Sequence, residues 1–346
     1  MFKHLILIIS LLILMTQSGF ADQQRSSLTN KTGNIIGGSE LVFPDWFKES
    51  FMDFKEDAAD ASKAGKHLLL FFHVAGCPYC QKMLHDNFKQ GDNPKILKTK
   101  FDVIAINVNG SKDIIYNEKT TISERSFAQV LNVHYTPTLI FLNSDNKVVA
   151  RLNGYRSPRE FKTVLDFVSE KAYKKTDLNS YRQAHLKDQV YSLQKNSRYL
   201  HSQNLQKLAQ QDKPLLVLFE DKSCDACESF HQQVFDIKET EKILDKYNVV
   251  RLDALSDKQI ITPKGDKTTP QKWLKTLNIS YRPAVLLYSE GKQIERVTGL
   301  LKAFHFQQLL NYVAEKKYKT FDNWIGYEQQ QTQKILKSGK DVDIWK

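Results

Sequence analysis

Four cysteines make up the whole thiol content of this 346-residue chain, and they fall in two C-x-x-C pairs, Cys77-Pro78-Tyr79-Cys80 and Cys224-Asp225-Ala226-Cys227. Each pair follows an apolar run, Leu68 to Phe72 in one case and Leu215 to Phe219 in the other, and precedes a segment of helical character. An unbroken apolar run of this length reads as a strand covered on both faces. A strand that ends where a helix begins places the first cysteine among unpaired backbone N–H groups and at the positive end of the macrodipole. Both favour a thiolate over a thiol. The second cysteine, three residues on, faces the same side one turn away. It can attack a mixed disulfide formed by the first, so that the pair exchanges electrons with a substrate disulfide. Pro78 suits the first helical turn, where its missing N–H costs nothing.

The two pairs belong to an internal repeat. Leu131-Asn132-Val133-His134-Tyr135-Thr136-Pro137 matches Leu277-Asn278-Ile279-Ser280-Tyr281-Arg282-Pro283, Gly154 matches Gly299, and Tyr173-Lys174 matches Tyr318-Lys319. The first cysteine precedes its proline by 60 residues in one copy and 59 in the other. The chain therefore reads as two copies of one domain, 41–190 and 191–346, each closed by a polar helix, Leu178 to Gln194 and Phe321 to Ser338. In the first copy the pattern predicts an amphipathic helix from Trp46 to Lys63, strands over Leu68 to Val74 and Phe101 to Val108, and a polar insertion at Asn109 to Thr121. A helix over Ser123 to Leu131, a hairpin of Thr138 to Leu142 with Val148 to Leu152, and a helix over Pro158 to Lys171 follow. The second copy repeats this order: a strand at Val249 to Leu252, an insertion through Pro263 to Asp266, a helix at Pro270 to Leu277, a hairpin turning at Glu290-Gly291, and a helix at Ala303 to Lys316.

Ahead of the repeats stands a secretory pattern: Lys3, an apolar run from Leu5 to Met15, and small residues up to Ala21. The run is about half the ~20 residues that span a bilayer, so cleavage after Ala21 is expected rather than an uncleaved anchor. Residues 22–40, rich in Gln, Ser, Thr, Asn and Gly, read as a flexible leader. The mature protein is then expected to be periplasmic, with no stable membrane insertion. The formal charge of +11 comes from lysines interleaved with acids, which reads as a solvated surface, and no nucleic-acid motif accompanies it. An exported chain normally uses cysteines as staples. Keeping all of them in C-x-x-C pairs fits redox work, with inert local disulfides as the alternative.

Strand, C-x-x-C, helix, then a proline opening a β-hairpin and a glycine after its second strand resembles the thioredoxin pattern, twice over nearly the whole mature chain. Lys66-His67-Leu68-Leu69-Leu70, Cys77-Pro78-Tyr79-Cys80, the insertion, Thr136-Pro137-Thr138, Asn153-Gly154-Tyr155 and the ending Asp341-Val342-Asp343-Ile344-Trp345 are similar to exported SoxW-type thioredoxins. The resemblance implies an α/β fold of two tandem three-layer domains, each a mixed central sheet with helices on both faces. It implies Cys77, Cys80, Cys224 and Cys227 as catalytic residues, and cis bonds at Thr136-Pro137 and Arg282-Pro283 where a substrate chain could pair as an added strand. It also implies no cofactor, protein disulfides as substrates, and a membrane electron donor of the DsbD or CcdA type.

The chain departs from that pattern in places. Gly76 and Ser223 stand where thioredoxins usually carry Trp, and the proton-carrying Asp of thioredoxin would fall at Phe71 and Leu218. His73 and Glu220 are nearby substitutes for it, unless both are surface or edge residues. Asp225 would disfavour a thiolate at Cys224 and Arg282 would favour it, so the two effects oppose. Reduction of protein disulfides is the leading expectation. Disulfide isomerisation, domain 2 as a substrate-binding arm, and a thiol-histidine copper carrier using His85 or His231 stay open beside it, although no metal site has compact ligand spacing.

Overall fold

The computed structural model describes residues 32–117, 120–186, 189–193 and 195–345. The expected signal cleavage at Ala21 lies outside these residues. A short strand β1 (Ile35–Ile36) leads into the first repeat: α1 (Phe54–Lys63), β2 (His67–His73), α2 (Pro78–Met83), α3 (Asn93–Lys100), β3 (Phe101–Asn107), β4 (Asp113–Asn117), β5 (Thr120–Ser123), α4 (Glu124–Val130), β6 (Thr138–Leu142), β7 (Val148–Asn153), α5 (Pro158–Ser169) and α6 (Leu178–His185). The second repeat holds α7 (Leu205–Ala209), β8 (Leu215–Glu220), α8 (Cys227–Phe230), α9 (Lys238–Leu244), β9 (Asn248–Asp253), β10 (Ile260–Ile261), β11 (Lys267–Thr268), α10 (Pro270–Thr276), β12 (Ala284–Ser289), β13 (Lys292–Val297), α11 (Ala303–Ala314) and α12 (Trp324–Lys337). A last strand, β14 (Val342–Asp343), pairs in parallel with β1.

The sheets run β3-β2-β6-β7 and β9-β8-β12-β13, the same order in both copies. In each, the central strand is parallel to one neighbour and antiparallel to the other. Alternate residues of β2 enter different cores: Leu68, Leu70 and Phe72 pack under α1 and α4, while Leu69 and Phe71 pack under α2, α3 and α5. The second sheet divides in the same way, with Leu216 and Leu218 beneath α11 and α12 and Leu215, Val217 and Phe219 beneath α7 and α10. Helices on both faces are what an unbroken apolar strand requires. Left-handed backbone also recurs at matching positions, Asn132 with Asn278 and Lys171 with Lys316.

Four sequence expectations are corrected. Residues 46–53 are not helical: Asp53 caps α1 by accepting from the N–H groups of Lys55 and Glu56, and Trp46 and Phe47 instead pack as a loop on Phe88 and Phe71. The described part of the expected flexible leader is not free, because residues 35–36 form β1 against β14 and Ser39 bridges to Gly76. The closing helix expected from Leu178 to Gln194 ends at His185. Beyond it the N–H groups of Val190 and Tyr191 both go to the Lys222 carbonyl, while Gln194 lies outside the described residues. The polar insertions carry small antiparallel ladders, β4–β5 and β10–β11.

The two domains meet through the loops that follow β7 and β13. A Cβ built on Gly299 would stand 2.5 Å from the Asn153 carbonyl oxygen and 3.0 Å from the Gly154 Cα, so the two repeat-equivalent glycines pack backbone to backbone. Around them Tyr135 donates its hydroxyl to the Arg296 carbonyl at 2.9 Å, and Arg156 donates to the Thr298 carbonyl at 3.0 Å while its guanidinium covers the Tyr281 ring at 4.2 Å. Gly299→Ala should therefore lower stability by about 1–3 kcal/mol through overpacking. Denaturant unfolding beside the wild type measures this, and an unchanged midpoint would show that the contact is not held in solution.

Candidate redox sites

Site 1 is built where β2 hands the chain to α2. Gly76, at φ +74°, turns the backbone so that Cys77 becomes the N-cap of α2, with Pro78 in the first turn. The Cys77 sulfur accepts a hydrogen bond from the Cys80 N–H at 3.1 Å and from the Thr136 hydroxyl at 3.4 Å, and the Thr136 carbonyl lies 3.6 Å away. The Thr136-Pro137 bond is cis, and Thr136 remains half-buried. Cys77 and Cys80 are joined as a disulfide.

The other domain holds the residue between these cysteines. Tyr79 accepts at 3.0 Å from the N–H of Lys302, the N-cap of α11, and pairs at 3.0 Å with Nδ1 of His305. Burial pushes the Tyr79 hydroxyl well above its ordinary range and holds His305 down to about 4, so the neutral histidine accepts from a neutral phenol. Trp345 also packs against the Tyr79 ring.

Site 2 keeps the disulfide and the cis-proline but not the cap. The expected helix start at Cys224 is corrected, since α8 begins at Cys227 with Ala226 as its N-cap, and the Cys224 N–H goes to the Asp221 carbonyl in a turn. Cys224 and Cys227 form a disulfide, and Arg282-Pro283 is cis. Asp221, fully buried, fixes the loop before Cys224 by accepting from the Ser223 N–H at 2.9 Å and hydroxyl at 2.6 Å. Its other oxygen lies 3.2 Å from Arg282 Nε and 3.3 Å from Arg182 Nη1. Burial opposes charge on Asp221, but the two guanidiniums outweigh it and hold the carboxyl below the usual range. Burial draws Arg282 down to about 10, which leaves it charged at neutral pH.

Both charges weighed against each other in the sequence therefore have partners of their own. Arg282 is 2% exposed and pairs with Asp221, and Asp225 pairs with Arg159 of domain 1 at 2.8 Å and accepts from the Ser157 hydroxyl at 3.2 Å. Ser157 is the N-cap of α5, the repeat counterpart of α11, so each C-x-x-C loop docks on the start of the other domain's last sheet-covering helix.

Two sequence matches account for what these sites are. The model of the thioredoxin-like domain matches residues 54–169 and again residues 202–314. The chain belongs to the thioredoxin-like domain family. Among solved structures, this thioredoxin-like chain is similar to a thioredoxin-fold protein from Helicobacter pylori at 24% identity, covering 38% of this chain and 96% of that one with a TM-score of 0.33. It is similar to a thioredoxin from Thermus thermophilus at 27% identity, covering 34% and 85% with a TM-score of 0.29. The C-terminal domain of DsbD from Neisseria meningitidis matches at 20% identity over 30% and 82%, with a TM-score of 0.23. No curated protein matches the chain.

A thioredoxin-like domain with a C-x-x-C pair at the head of its helix, present twice, is the apparatus of a thiol–disulfide oxidoreductase. The substitutes considered for the missing proton carrier differ between its copies. His73 is half-buried, and burial lowers it to about 4. Glu220 is fully buried and bonded to His231, which corrects its reading as an edge residue. His85 lies exposed beside Asp86 and Gln90, whereas His231 has both ring nitrogens on carboxylates, Glu220 and Asp236. Among the described residues no group of three or more His, Cys, Asp or Glu is placed to hold a metal ion. No helix among them is long and apolar enough to cross a membrane. Tyr191 and Asp221 passed unnoticed in the sequence, since neither lies in a motif, and Tyr79, read there as part of the C-x-x-C loop, gave no sign of its contacts with the other domain.

Burial opposes charge on His231, but the hydrogen bonds it donates to Asp236 and Glu220 outweigh it and raise it to about 9. A histidine raised in the folded state contributes stability fully below its ordinary 6.5 and loses that contribution as pH rises through about 9. The stability gap between wild type and His231→Gln should therefore narrow from pH 6.5 to 9, and unfolding at fixed ionic strength across that range measures it.

Proposed function

We propose that this protein is an exported thiol–disulfide oxidoreductase that reduces protein disulfides, with Cys77 and Cys224 as attacking cysteines and Cys80 and Cys227 as resolving ones. The observation that carries this reading is the Cys77 sulfur at the cap of α2, with an N–H and a hydroxyl aimed at it. Those donors stabilise a thiolate in the reduced form. The thiolate attacks a substrate sulfur, the Cys80 thiolate then attacks Cys77, and the substrate leaves reduced while the pair takes up the disulfide. Thr136-Pro137 is the segment on which an extended substrate would lie, whereas Arg282-Pro283, expected from the sequence to serve the same way, is buried with Arg282 against Asp221. A dithiol donor returns two electrons to the pair. In an exported protein of this family that donor would be of the membrane DsbD or CcdA type, consistent with a secretory pattern ahead of the domains.

The sites differ in access. Thr136 is half-buried and Cys77 is 6% exposed, whereas Arg282 is 2% and Cys224 1% exposed. This supports site 1 as the point of contact with outside partners and site 2 as a second station. It equally favours a second reading, in which domain 2 is an arm that supports site 1 through Lys302 and His305.

Turnover of a model protein disulfide with dithiothreitol as donor separates them. Cys77→Ser should abolish reduction, and Cys224→Ser should slow it several-fold. An unchanged rate in Cys224→Ser would assign the whole activity to site 1, and an unchanged rate in Cys77→Ser would remove the reading altogether.

A further inference from the structure

Site 2 is sealed around its sulfurs, with Cys224 1% exposed and Cys227 fully buried. Reduction of this disulfide must still deliver a proton to Cys227, and reoxidation must remove it. The position on β8 where this fold usually keeps a proton carrier is Leu218. Two residues further along the same face stands Glu220, fully buried at the end of the strand.

The surroundings of Glu220 form a continuous polar chain. Its Oε1 accepts from His231 Nε2 at 2.9 Å, and His231 Nδ1 donates to Asp236 at 2.8 Å, whose side chain is 31% exposed. His231 lies one helical turn beyond Cys227, its backbone N–H donating to the Cys227 carbonyl. Tyr191, which shares a buried cluster with both sulfurs, donates its hydroxyl to Glu220 at 3.5 Å and stacks nearly parallel on the His231 ring. The second carboxylate oxygen, Oε2, is buried with no hydrogen-bond partner among the described residues.

The first repeat shows that the fold does not need this chain. The counterparts of Glu220, His231 and Asp236 are His73, Leu84 and Lys89, and Leu84 fills its place as an apolar core residue. A buried ion pair is weak support for stability, since apolar residues of similar volume often serve as well or better. What the second repeat gains is a buried carboxylate–imidazole pair joined to the partly exposed Asp236.

We propose that Glu220, His231 and Asp236 carry the proton between Cys227 and solvent, which rests on the reading of site 2 as redox-active. A dithiol donor attacks Cys224 through one thiolate, and the Cys224–Cys227 bond breaks with its electron pair on Cys227. His231 passes its Nε2 proton to the Glu220 carboxylate, Glu220 hands a proton on to the Cys227 thiolate and returns to the carboxylate form, and the now neutral His231 regains its proton from water by way of Asp236. The donor's second thiolate then closes the donor disulfide and releases Cys224 as a thiolate, so two electrons have passed to site 2. Oxidation runs the same steps in reverse. His231 is well suited to hold the proton, because the two carboxylates keep it charged at neutral pH against the effect of burial. The other charged or titratable groups around the path are Tyr199 before α7, Arg251 and Asp253 on β9, and Asp221 with its arginines.

The test uses the full chain with Cys77→Ser and Cys80→Ser, so that site 2 alone reports, reduced by dithiothreitol and followed by thiol trapping. Glu220→Gln should slow reduction by about 10²-fold at pH 7 and leave only the donor thiol's inflection in the pH–rate profile. Glu220→Leu with His231→Leu removes both charges without stranding either, and should give the same slow rate and the same simplified profile. Wild-type rate and profile in either folded variant overturn the path while site 2 remains active. A site 2 that takes no electrons with Glu220 in place overturns both the path and the two-site reading.

Discussion

Two backbones touch where neither repeat has a side chain. The approach of Gly154 to Gly299 can exist only because both positions lack a Cβ, since even one methyl on Gly299 would fall 2.5 Å from the Asn153 carbonyl. That approach fixes the rest. Each glycine follows the hairpin whose other strand begins at the cis-proline, so bringing the glycines together turns the cysteine-bearing faces of the two domains toward one another. Tyr79 then reaches the start of α11 and Asp225 the start of α5. A thioredoxin-like domain alone leaves this face to its substrates. Here each domain is the first occupant of the other's.

Burying those faces creates an electrostatic problem that the interface resolves in part, with Arg182 Nε and Nη2 and Arg282 Nε left without a hydrogen-bond partner among the described residues. Arg156, Arg182 and Arg282 lie with Glu160 and Asp221 out of contact with water, and a charge in such a place is tolerated only when paired and hydrogen-bonded. Asp221 takes two of the arginines, and Arg156 is satisfied by the carbonyls of Asn153, Tyr155 and Thr298. Breaking one partner of such a set is far more harmful than never having had it. The cluster therefore specifies one relative orientation of the domains more than it adds stability, and it does so through the residue that shapes the loop before Cys224.

Most of the fold was legible because it is local. Leu68 to Phe72 and Leu215 to Phe219 announce buried strands, Ser123 and Pro270 open the helices that follow, and Asp145-Asn146 and Glu290-Gly291 turn the hairpins. The repeat made each half a check on the other. What escaped depends on contacts across long separations. Trp46, Phe47 and Phe51 fall near helical spacing, yet Met52 at φ 66° breaks the run and the first two serve the core as loop residues. Residues 35–36 read as leader because their partners, 342–343, lie at the far end of the chain. Glu220 at a strand end looks like an edge residue until the segment carrying Tyr191 closes over it.

Duplication followed by divergence at a few buried positions explains how one fold can hold two couples of different character. Tyr79 is answered by Ala226, Thr136 by Arg282, His73 by Glu220 and Leu84 by His231. All lie around the sulfurs, His73 and Glu220 at the last position of their strands, so the sheets can be nearly superposable while the electrostatics are not. About 30 mV of potential corresponds to ~1.4 kcal/mol for a two-electron couple. One hydrogen bond to a charged group contributes ~1.5–3 kcal/mol, so a single change among these positions is enough to order the two sites. Site 1, with neutral donors to its sulfur, and site 2, ringed by paired charges, therefore need no difference in fold to become successive stations for the same electrons.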